Sequence, residues 1–465
     1  MKRYFGTDGV RGVAGEAPLD RATVVALGVA LGRDLASRNR APAVVLGEDT
    51  RESSGWIAAT LAAGLQQAGV RVEHAGVLPT PAVAYLAASG GFAAGVMVSA
   101  SHNPYQDNGI KVFGPTGYKL PDEEEAAVER SLEAILAAGG GVQAQAAELR
   151  QRGELRQTYV EHLAGQFADV PWGGMRVVVD CAHGAASTVA PELFQRLGLE
   201  AAVMAAAPDG RNINAGVGAL HPEKLAEEVR RRGAAAGLAL DGDADRAILV
   251  DGRGEVVNGD AVLLMCAREL WGAGPSAARP RVPLAHGAGL RPPVVVGTVM
   301  TNYGLELAFE AMGIRLIRAA VGDKYVLEKM REHGAVLGGE PSGHIIFGAE
   351  ATTGDGLLTA LHCFNLIARR GLPLEQLCHG WQQLPQRLIN VPVAEKRPFE
   401  QMPGVQAAIA GAEAQLQGRG RVLVRYSGTE KLARVMVEAE SAGEVEKLAQ
   451  SIAAALGRGA GQAAG

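Results

Sequence analysis

Two short stretches of this 465-residue chain hold residue types that could do covalent or metal chemistry. In the first, Ser99-Ala-Ser-His-Asn-Pro104, Ser101 stands just past an apolar run at 95–98, and a second apolar run follows at 110–113. Both runs read as buried strands. Asn103-Pro104 and Asn108-Gly109 mark tight turns between them. A hydroxyl at the end of a strand is where an α/β protein presents an exposed nucleophile. Lys111, on the following strand, could set a positive charge beside it. A plain polar connection with Ser101 as a turn-forming residue accounts for the loop equally well. The second stretch is Asp241-Gly-Asp-Ala-Asp-Arg246. Asp241, Asp243 and Asp245 follow an apolar strand at i, i+2 and i+4, where they would repel one another unless a cation sat among them. Hard oxygen ligands favour Mg2+. A solvated acidic turn is the alternative. An EF-hand loop is excluded, because its sixth and twelfth positions would be Arg246 and Gly252.

Three further stretches carry weaker signals. Residues 2–13 place Arg11 among glycines and read as a tight loop, presenting an Arg or merely turning the chain. Gly339-Glu-Pro-Ser-Gly-His344 offers a carboxylate, a hydroxyl and an imidazole suited to sugar hydroxyls. Arg425-Tyr-Ser-Gly-Thr-Glu430, with Arg434, combines guanidinium forks, hydroxyls and glycine-exposed amides, the groups a phosphate dianion needs.

The elements that must position these residues are legible from periodicity. Helices are predicted over 24–35, 54–68 and 81–88, and strands over 43–47 and 70–77. The alternation restarts at 175–181 and again at 294–299, and each restart implies a mostly parallel sheet covered by helices. Three similar units suggest an internal threefold repeat of domains. Segments 137–147 and 272–293 read as loops, and 457–465 as a disordered tail. The end of the chain differs, with strands at 387–393, 420–426 and 432–439 and a helix opened by the capping box Ser441 to Glu444.

Composition narrows the function classes. The net charge is −5, so no global basic field for nucleic acid exists, and any anion site must be built locally. Four cysteines without CxxC spacing read as free thiols of a reducing compartment. No apolar signal segment opens the sequence, and the uncharged stretch 77–106 is broken by Pro79 and Pro81. A soluble cytoplasmic protein is expected, with no membrane and no nucleic acid as partner.

Taken in order, the four loops resemble the nucleophile, metal, sugar and phosphate loops of the α-D-phosphohexomutase superfamily. Within it the chain is most similar to the bacterial phosphoglucosamine mutases. Tyr4-Phe-Gly-Thr-Asp-Gly-Val-Arg-Gly12, Asn212-Ile-Asn214, Gly297-Thr-Val-Met-Thr-Asn302 and Val321-Gly-Asp-Lys-Tyr-Val326 support this. Pro341 stands where those enzymes usually have Gln, and Lys431 where the superfamily usually has Pro.

The resemblance implies an α/β fold: three related α/β domains with mixed sheets, plus a C-terminal α+β domain, around a central cleft. The expected boundaries are 1–152, 153–254, 255–373 and 374–465. It implies catalytic roles for Ser101, Arg11, His102, Lys111 and His344. Ser101 is implied to carry the phosphoryl group and, with the three aspartates, to bind one Mg2+. Arg246, Glu340, Ser342, Gly343, His344, Arg425, Ser427, Gly428, Thr429 and Arg434 are implied to bind substrate. The implied reaction interconverts glucosamine 6-phosphate and glucosamine 1-phosphate through a 1,6-bisphosphate that also activates the enzyme by phosphorylating Ser101. The product would feed UDP-N-acetylglucosamine and cell-wall synthesis. Lys111 and His344 remain alternative proton carriers, and a homodimer stays open. Rival readings are a phosphomannomutase/phosphoglucomutase, a phosphosugar-binding protein without turnover, and a metal phosphatase using Asp241.

Overall fold

The computed structural model describes residues 3–6, 8–139, 146–272, 293–427 and 431–459. The chain divides into two compact units, Met1–Thr298 with Ile317–His379, and Val299–Leu316 with Gly380–Gly465.

The first sheet contains β1 (Phe5–Gly6), β2 (Gly9–Val13), β3 (Ala43–Glu48), β4 (Arg71–Val77), β5 (Ala94–Val98) and β6 (Asp107–Phe113), in the order β1-β2-β6-β5-β3-β4. Helices α1 (Arg21–Arg38), α2 (Ser54–Gln67), α3 (Thr80–Ser89) and α4 (Asp122–Ala137) accompany it, and α5 (Gly153–Gln166) leads to the next sheet. Asp20 caps α1 by accepting from Thr23 N at 3.0 Å. Leu27, Leu31, Leu46, Leu61, Val96 and Val98 form one core between helices and sheet. That buried apolar surface is the main force fixing where the loops at the strand ends emerge.

The second sheet has β7 (Arg176–Asp180), β8 (Glu200–Met204), β9 (Ala236–Leu240), β10 (Ala247–Asp251) and β11 (Val256–Val257), in the order β11-β10-β9-β7-β8, with α6 (Ala190–Leu197), α7 (Glu223–Arg232) and α8 (Gly259–Trp271). The third has β12 (Val294–Thr298), β13 (Arg315–Ala319), β14 (Leu337–Gly339) and β15 (Ile345–Phe347), in the order β13-β12-β14-β15. After it, α9 (Tyr303–Ala311) falls in the second unit, while the first unit also carries α10 (Asp323–His333), α11 (Gly356–Arg370) and the short α12 (Leu374–Leu377).

The predicted repeat is present in the strand order. Each of the three sheets contains the same run of four, β6-β5-β3-β4, β10-β9-β7-β8 and β15-β14-β12-β13. The sheets are mixed because each run of four ends in an antiparallel hairpin, β5–β6, β9–β10 and β14–β15.

The second unit carries β16 (Gln386–Pro392), β17 (Gly420–Tyr426) and β18 (Leu432–Ala439) in the antiparallel order β16-β18-β17, with α13 (Pro403–Leu416) and α14 (Ala442–Gly459). Val405, Leu416, Val435, Val437, Leu448 and Ile452 make its core. Arg421 donates to the buried Glu438 carboxylate at 2.7 and 3.0 Å, an ion pair inside this unit.

Two sequence expectations change. Residues 9–13 are a strand, not a tight loop, because Arg11 pairs across to Gly109 on β6, a contact that local composition does not announce. Helices α4, α5, α8, α11, α12 and α13 add to those predicted. Among the described residues, no helix is long and apolar enough to cross a membrane.

Candidate active site

All four signature loops join antiparallel neighbours. The Ser101 loop links β5 to β6, the three-aspartate loop links β9 to β10, Gly339–His344 links β14 to β15, and the Arg425 segment ends β17 before β18. A hairpin loop is anchored at both ends by ladder hydrogen bonds, so its polar side chains are held rather than free to wander.

Ser101 is buried, at 2% exposure, where an exposed nucleophile is expected from the sequence. Gly242 of the aspartate loop closes over it: a Cβ there would meet the Ser101 carbonyl oxygen at 2.5 Å, so only glycine allows this approach. The Ser101 Oγ donates to Asp241 Oδ2 at 2.5 Å and lies 3.2 Å from His102 Nδ1. Burial, with Arg246 and Arg11 nearby, lowers the His102 pKa to about 4, so its ring is neutral near neutral pH.

Asp241, Asp243 and Asp245 are buried and bring one oxygen each within 4.8 Å of the others. Burial, reinforced by Asp245 and Asp243, pushes the Asp241 carboxyl well above its ordinary range. Burial also acts to raise Asp245, but Lys111 and His344 outweigh it and hold that carboxyl low. Asp243 Oδ1 and Asp245 Oδ1 are buried without a hydrogen-bond partner. Such orphaned oxygens are costly, and a divalent cation satisfies them. The residues present therefore fit a divalent metal.

Cations flank the cluster. Lys111 Nζ, 1% exposed, lies 2.7 Å from Asp243 Oδ2, 3.4 Å from Asp245 Oδ2 and 3.2 Å from Asp8 Oδ2. Burial works against its charge, and Asp243, Asp8 and Asp245 override it, so its pKa is raised. Asp8 also pairs with Arg11 and Lys119, and Lys119 pairs with Asp323. Arg11 donates to the Ala100 carbonyl at 3.3 Å, beside Ser101. Arg246 gives its backbone N–H to Asp241 Oδ1 at 3.2 Å.

His344 is buried beside this cluster, with Nδ1 3.6 Å from Asp245 Oδ1 and Nε2 3.9 Å from Asp323 Oδ2. Burial opposes its protonation, and Asp245, Asp323 and Glu340 favour it, raising its pKa overall. Gly354 N–H donates to Nε2 at 3.0 Å, which assigns the proton of the neutral ring to Nδ1, facing Asp245. Glu340 accepts from Gly322 N at 2.9 Å and from Ser342 Oγ at 3.2 Å. Gly343 adopts φ 91°, and a Cβ there would strike the Ala247 backbone, so the Gly339–His344 loop packs on the strand after the aspartates.

In the second unit, Arg425 stands directly across the ladder from Arg434. Burial and then Arg434 lower the Arg425 pKa. Like charges opposite one another on a sheet repel, and an anion relieves them. Ser427 is buried, and its carbonyl accepts from Lys396 Nζ at 2.6 Å, adding a third cation. Gly428 and Thr429 lie outside the described residues.

Models of the phosphoglucomutase/phosphomannomutase alpha/beta/alpha domains I, II and III match residues 2–138, 157–254 and 258–384, and the C-terminal domain model matches 388–455. A phosphoglucosamine mutase of Solibacter usitatus (strain Ellin6076) is 50% identical over 461 residues, 99% of this chain and 100% of that protein. The chain belongs to the phosphoglucosamine mutase family. A second such mutase, from Koribacter versatilis (strain Ellin345), is 48% identical over 98% of this chain and 97% of its own. Among solved structures, a phosphoglucomutase/phosphomannomutase family protein from Burkholderia thailandensis shares the fold at TM-score 0.79, with 24% identity over 98% of each chain. Aspergillus fumigatus N-acetylphosphoglucosamine mutase, in complex with GlcNAc-6P and magnesium, does so at TM-score 0.66, with 20% identity over 98% of this chain and 96% of that one.

For a phosphoglucosamine mutase family member, the structure adds residues that motif reading passes over. Thr80 at the start of α3 bonds Asp243 through both its hydroxyl and its N–H, the latter at 2.9 Å. Asp8, Lys119 and Asp323 link the Lys111 and His344 neighbourhoods. Asp49 and Arg51 lie directly beneath the Ser101 loop. Charged residues immediately after the β3 strand were the available signal for that last pair.

Proposed function

We propose that the protein interconverts glucosamine 6-phosphate and glucosamine 1-phosphate, with Ser101 as phosphoryl carrier. The observation that carries this reading is the Ser101 hydroxyl 2.5 Å from Asp241, inside a buried group of carboxylates and one ammonium. Nothing in such a group suits simple recognition, whereas phosphoryl transfer needs its charge balance. The matching family names and the GlcNAc-6P complex of the Aspergillus relative support the sugar-phosphate class.

In the first half-reaction the P–O bond to phosphorylated Ser101 breaks, and a P–O bond to the C1 hydroxyl of glucosamine 6-phosphate forms. The C1 hydroxyl loses one proton and Ser101 Oγ gains one, with His344 or Lys111 as the carrier; Lys111, held as an ammonium, would first give its proton to Oγ and then take the one from C1. The 1,6-bisphosphate then turns end for end. In the second half-reaction the P–O bond to C6 breaks as a P–O bond to Ser101 Oγ forms, and the Oγ proton returns through the same carrier to the C6 oxygen, which frees glucosamine 1-phosphate and regenerates the phosphoserine. Asp241, Asp243 and Asp245, with a phosphoserine oxygen, would hold Mg2+. Bound there, Mg2+ supplies positive charge to the transferring group. Arg11 and the neutral His102 flank Ser101, and Lys111 steadies Asp243 and Asp245 of the cluster that Ser101 faces. Arg246, Glu340, Ser342, Gly343 and His344 bind the sugar. Arg425, Ser427, Gly428, Thr429 and Arg434 hold the phosphate not in transfer.

The test is mass spectrometry for phosphate on Ser101, paired with a coupled assay on glucosamine, glucose and mannose phosphates. Phosphate on Ser101 and the highest kcat/KM on the amino sugar are expected. A higher kcat/KM on glucose or mannose phosphate transfers the protein to the hexose mutases. Absence of both phosphate and turnover removes the mutase reading.

A further inference from the structure

Ser101 has φ 55°, in the left-handed region that residues other than glycine seldom adopt. Such a conformation persists only where the surroundings over-determine it. Here both peptide groups beside the Ser101 Cα trace to one ion pair. On the N-terminal side, Ser101 N–H donates to Ser99 Oγ at 3.0 Å, and Ser99 Oγ donates to Asp49 Oδ2 at 2.7 Å. On the C-terminal side, the Ser101 carbonyl accepts from Arg51 Nη2 at 2.9 Å.

Arg51 and Asp49 have side chains closed off from water and are joined by an Nε to Oδ2 contact of 2.8 Å. The rest of the guanidinium is spent on the same loop. Nη2 also donates to the Asn103 carbonyl at 2.9 Å, and Nη1 to the carbonyls of Pro104 and, at 3.0 Å, Asp107. Every N–H of the planar fork is thus committed, one to Asp49 and the others to four carbonyls of a single turn. Asn214 closes the same turn from the second sheet's region, its Nδ2 donating to the Ser101 carbonyl at 2.9 Å and to the Asn103 carbonyl at 3.3 Å.

We infer that Arg51, seated on Asp49, is a positioning residue for the phosphoryl carrier, a template that holds the Ser101 backbone in its left-handed turn and so aims Oγ at the aspartate cluster. The Arg51 side chain has no exposed atom to offer substrate, so its action runs through the loop alone. This deepens the proposed reaction and rests on it. A bisphosphate that must present each end in turn needs one fixed partner, and the template makes the serine side the fixed one. Lysine cannot replace arginine here, because a single ammonium cannot reach four carbonyls spread along a turn.

The experiment compares wild type, Arg51→Lys and Asn214→Gly. Asn214 has φ 60°, so glycine keeps the backbone while removing the amide. Hydrogen–deuterium exchange is read on the 99–109 peptide, and kcat and KM are read on glucosamine 6-phosphate. For Arg51→Lys we expect faster exchange confined to that peptide. We also expect kcat lower by about 10²-fold with KM changed less than about twofold, the signature of a misplaced reacting group. For Asn214→Gly a loss of about tenfold in kcat at unchanged KM is expected. Unchanged exchange and kcat in folded Arg51→Lys overturn the inference, as does a kcat loss that only tracks the unfolded fraction. If Arg51→Lys does not fold, unchanged kcat in Asn214→Gly overturns it alone. Exchange does not depend on the sugar, so a wild type inactive on glucosamine phosphate would sink the proposed function and leave the loop result readable.

Discussion

Lys111 Nζ lies 2.7 Å from Asp243 Oδ2, and both side chains are shut away from water. One ammonium thereby neutralises part of a carboxylate cluster that would otherwise repel itself. Removing it as Lys111→Met should leave buried charge uncompensated and cost about 3–5 kcal/mol of stability in chelator. Added Mg2+ should restore more stability to the variant than to wild type, because the metal takes over the missing charge. Urea unfolding with and without Mg2+ measures both. Equal losses under the two conditions would show that the lysine and the metal do not share these oxygens.

Ser101→Ala should abolish turnover and phosphate incorporation with an unchanged circular dichroism spectrum. The residue is buried, but alanine fits the same space and accepts the same backbone. The hydrogen bond to Asp241 and the 3.2 Å contact with His102 Nδ1 are lost, and the Asp241 carboxyl is already pushed towards its neutral form. Near-normal activity would remove Ser101 as carrier.

Asp243→Asn, or chelation of Mg2+, should lower kcat far more than it raises KM. Charge on the transferring phosphoryl group matters most in the transition state. A sugar-phosphate affinity that falls as steeply as kcat would make the metal a binding element instead.

Asp355 provides a pH handle on stability. It caps α11 through Leu358 N at 2.9 Å and accepts from Tyr159 Oη at 2.7 Å. Burial raises its carboxyl pKa from 3.8 to about 6. The folded state therefore holds the proton where the unfolded chain has lost it. Its contribution is most favourable at acid pH and is lost as pH rises through that window, by roughly 3 kcal/mol in total. Asp355→Asn should flatten this slope. The stability difference between wild type and variant, from urea titrations at acid and neutral pH, reports it. A pH-independent difference would mean that the carboxyl titrates alike in the folded and unfolded chain.

Arg425→Ala should weaken the 1-phosphate and 6-phosphate substrates alike, by about 1.5–3 kcal/mol, because the proposed reaction has one clamp serve whichever phosphate is not in transfer. More bisphosphate should escape into solution, detectable by mass spectrometry. Impairment of a single substrate without escape would refute the shared clamp.

What the sequence by itself determined was local. Apolar runs marked the strands, and the polar turns between them marked Ser101, the three aspartates, Glu340 to His344 and Arg425, because hairpin loops and strand ends are contiguous in the chain. The threefold alternation was legible for the same reason. Tertiary structure decided what those loops do to one another. The strand at Arg11 exists because Gly109 lies across from it, nearly a hundred residues away. Ser101 is buried because Gly242 closes over it. Arg51, Thr80, Lys119 and Asn214 gained their places only when separate strand ends converged. A side chain's hydrogen-bond partners depend on distances that periodicity does not encode, and burial then makes each such pairing obligatory.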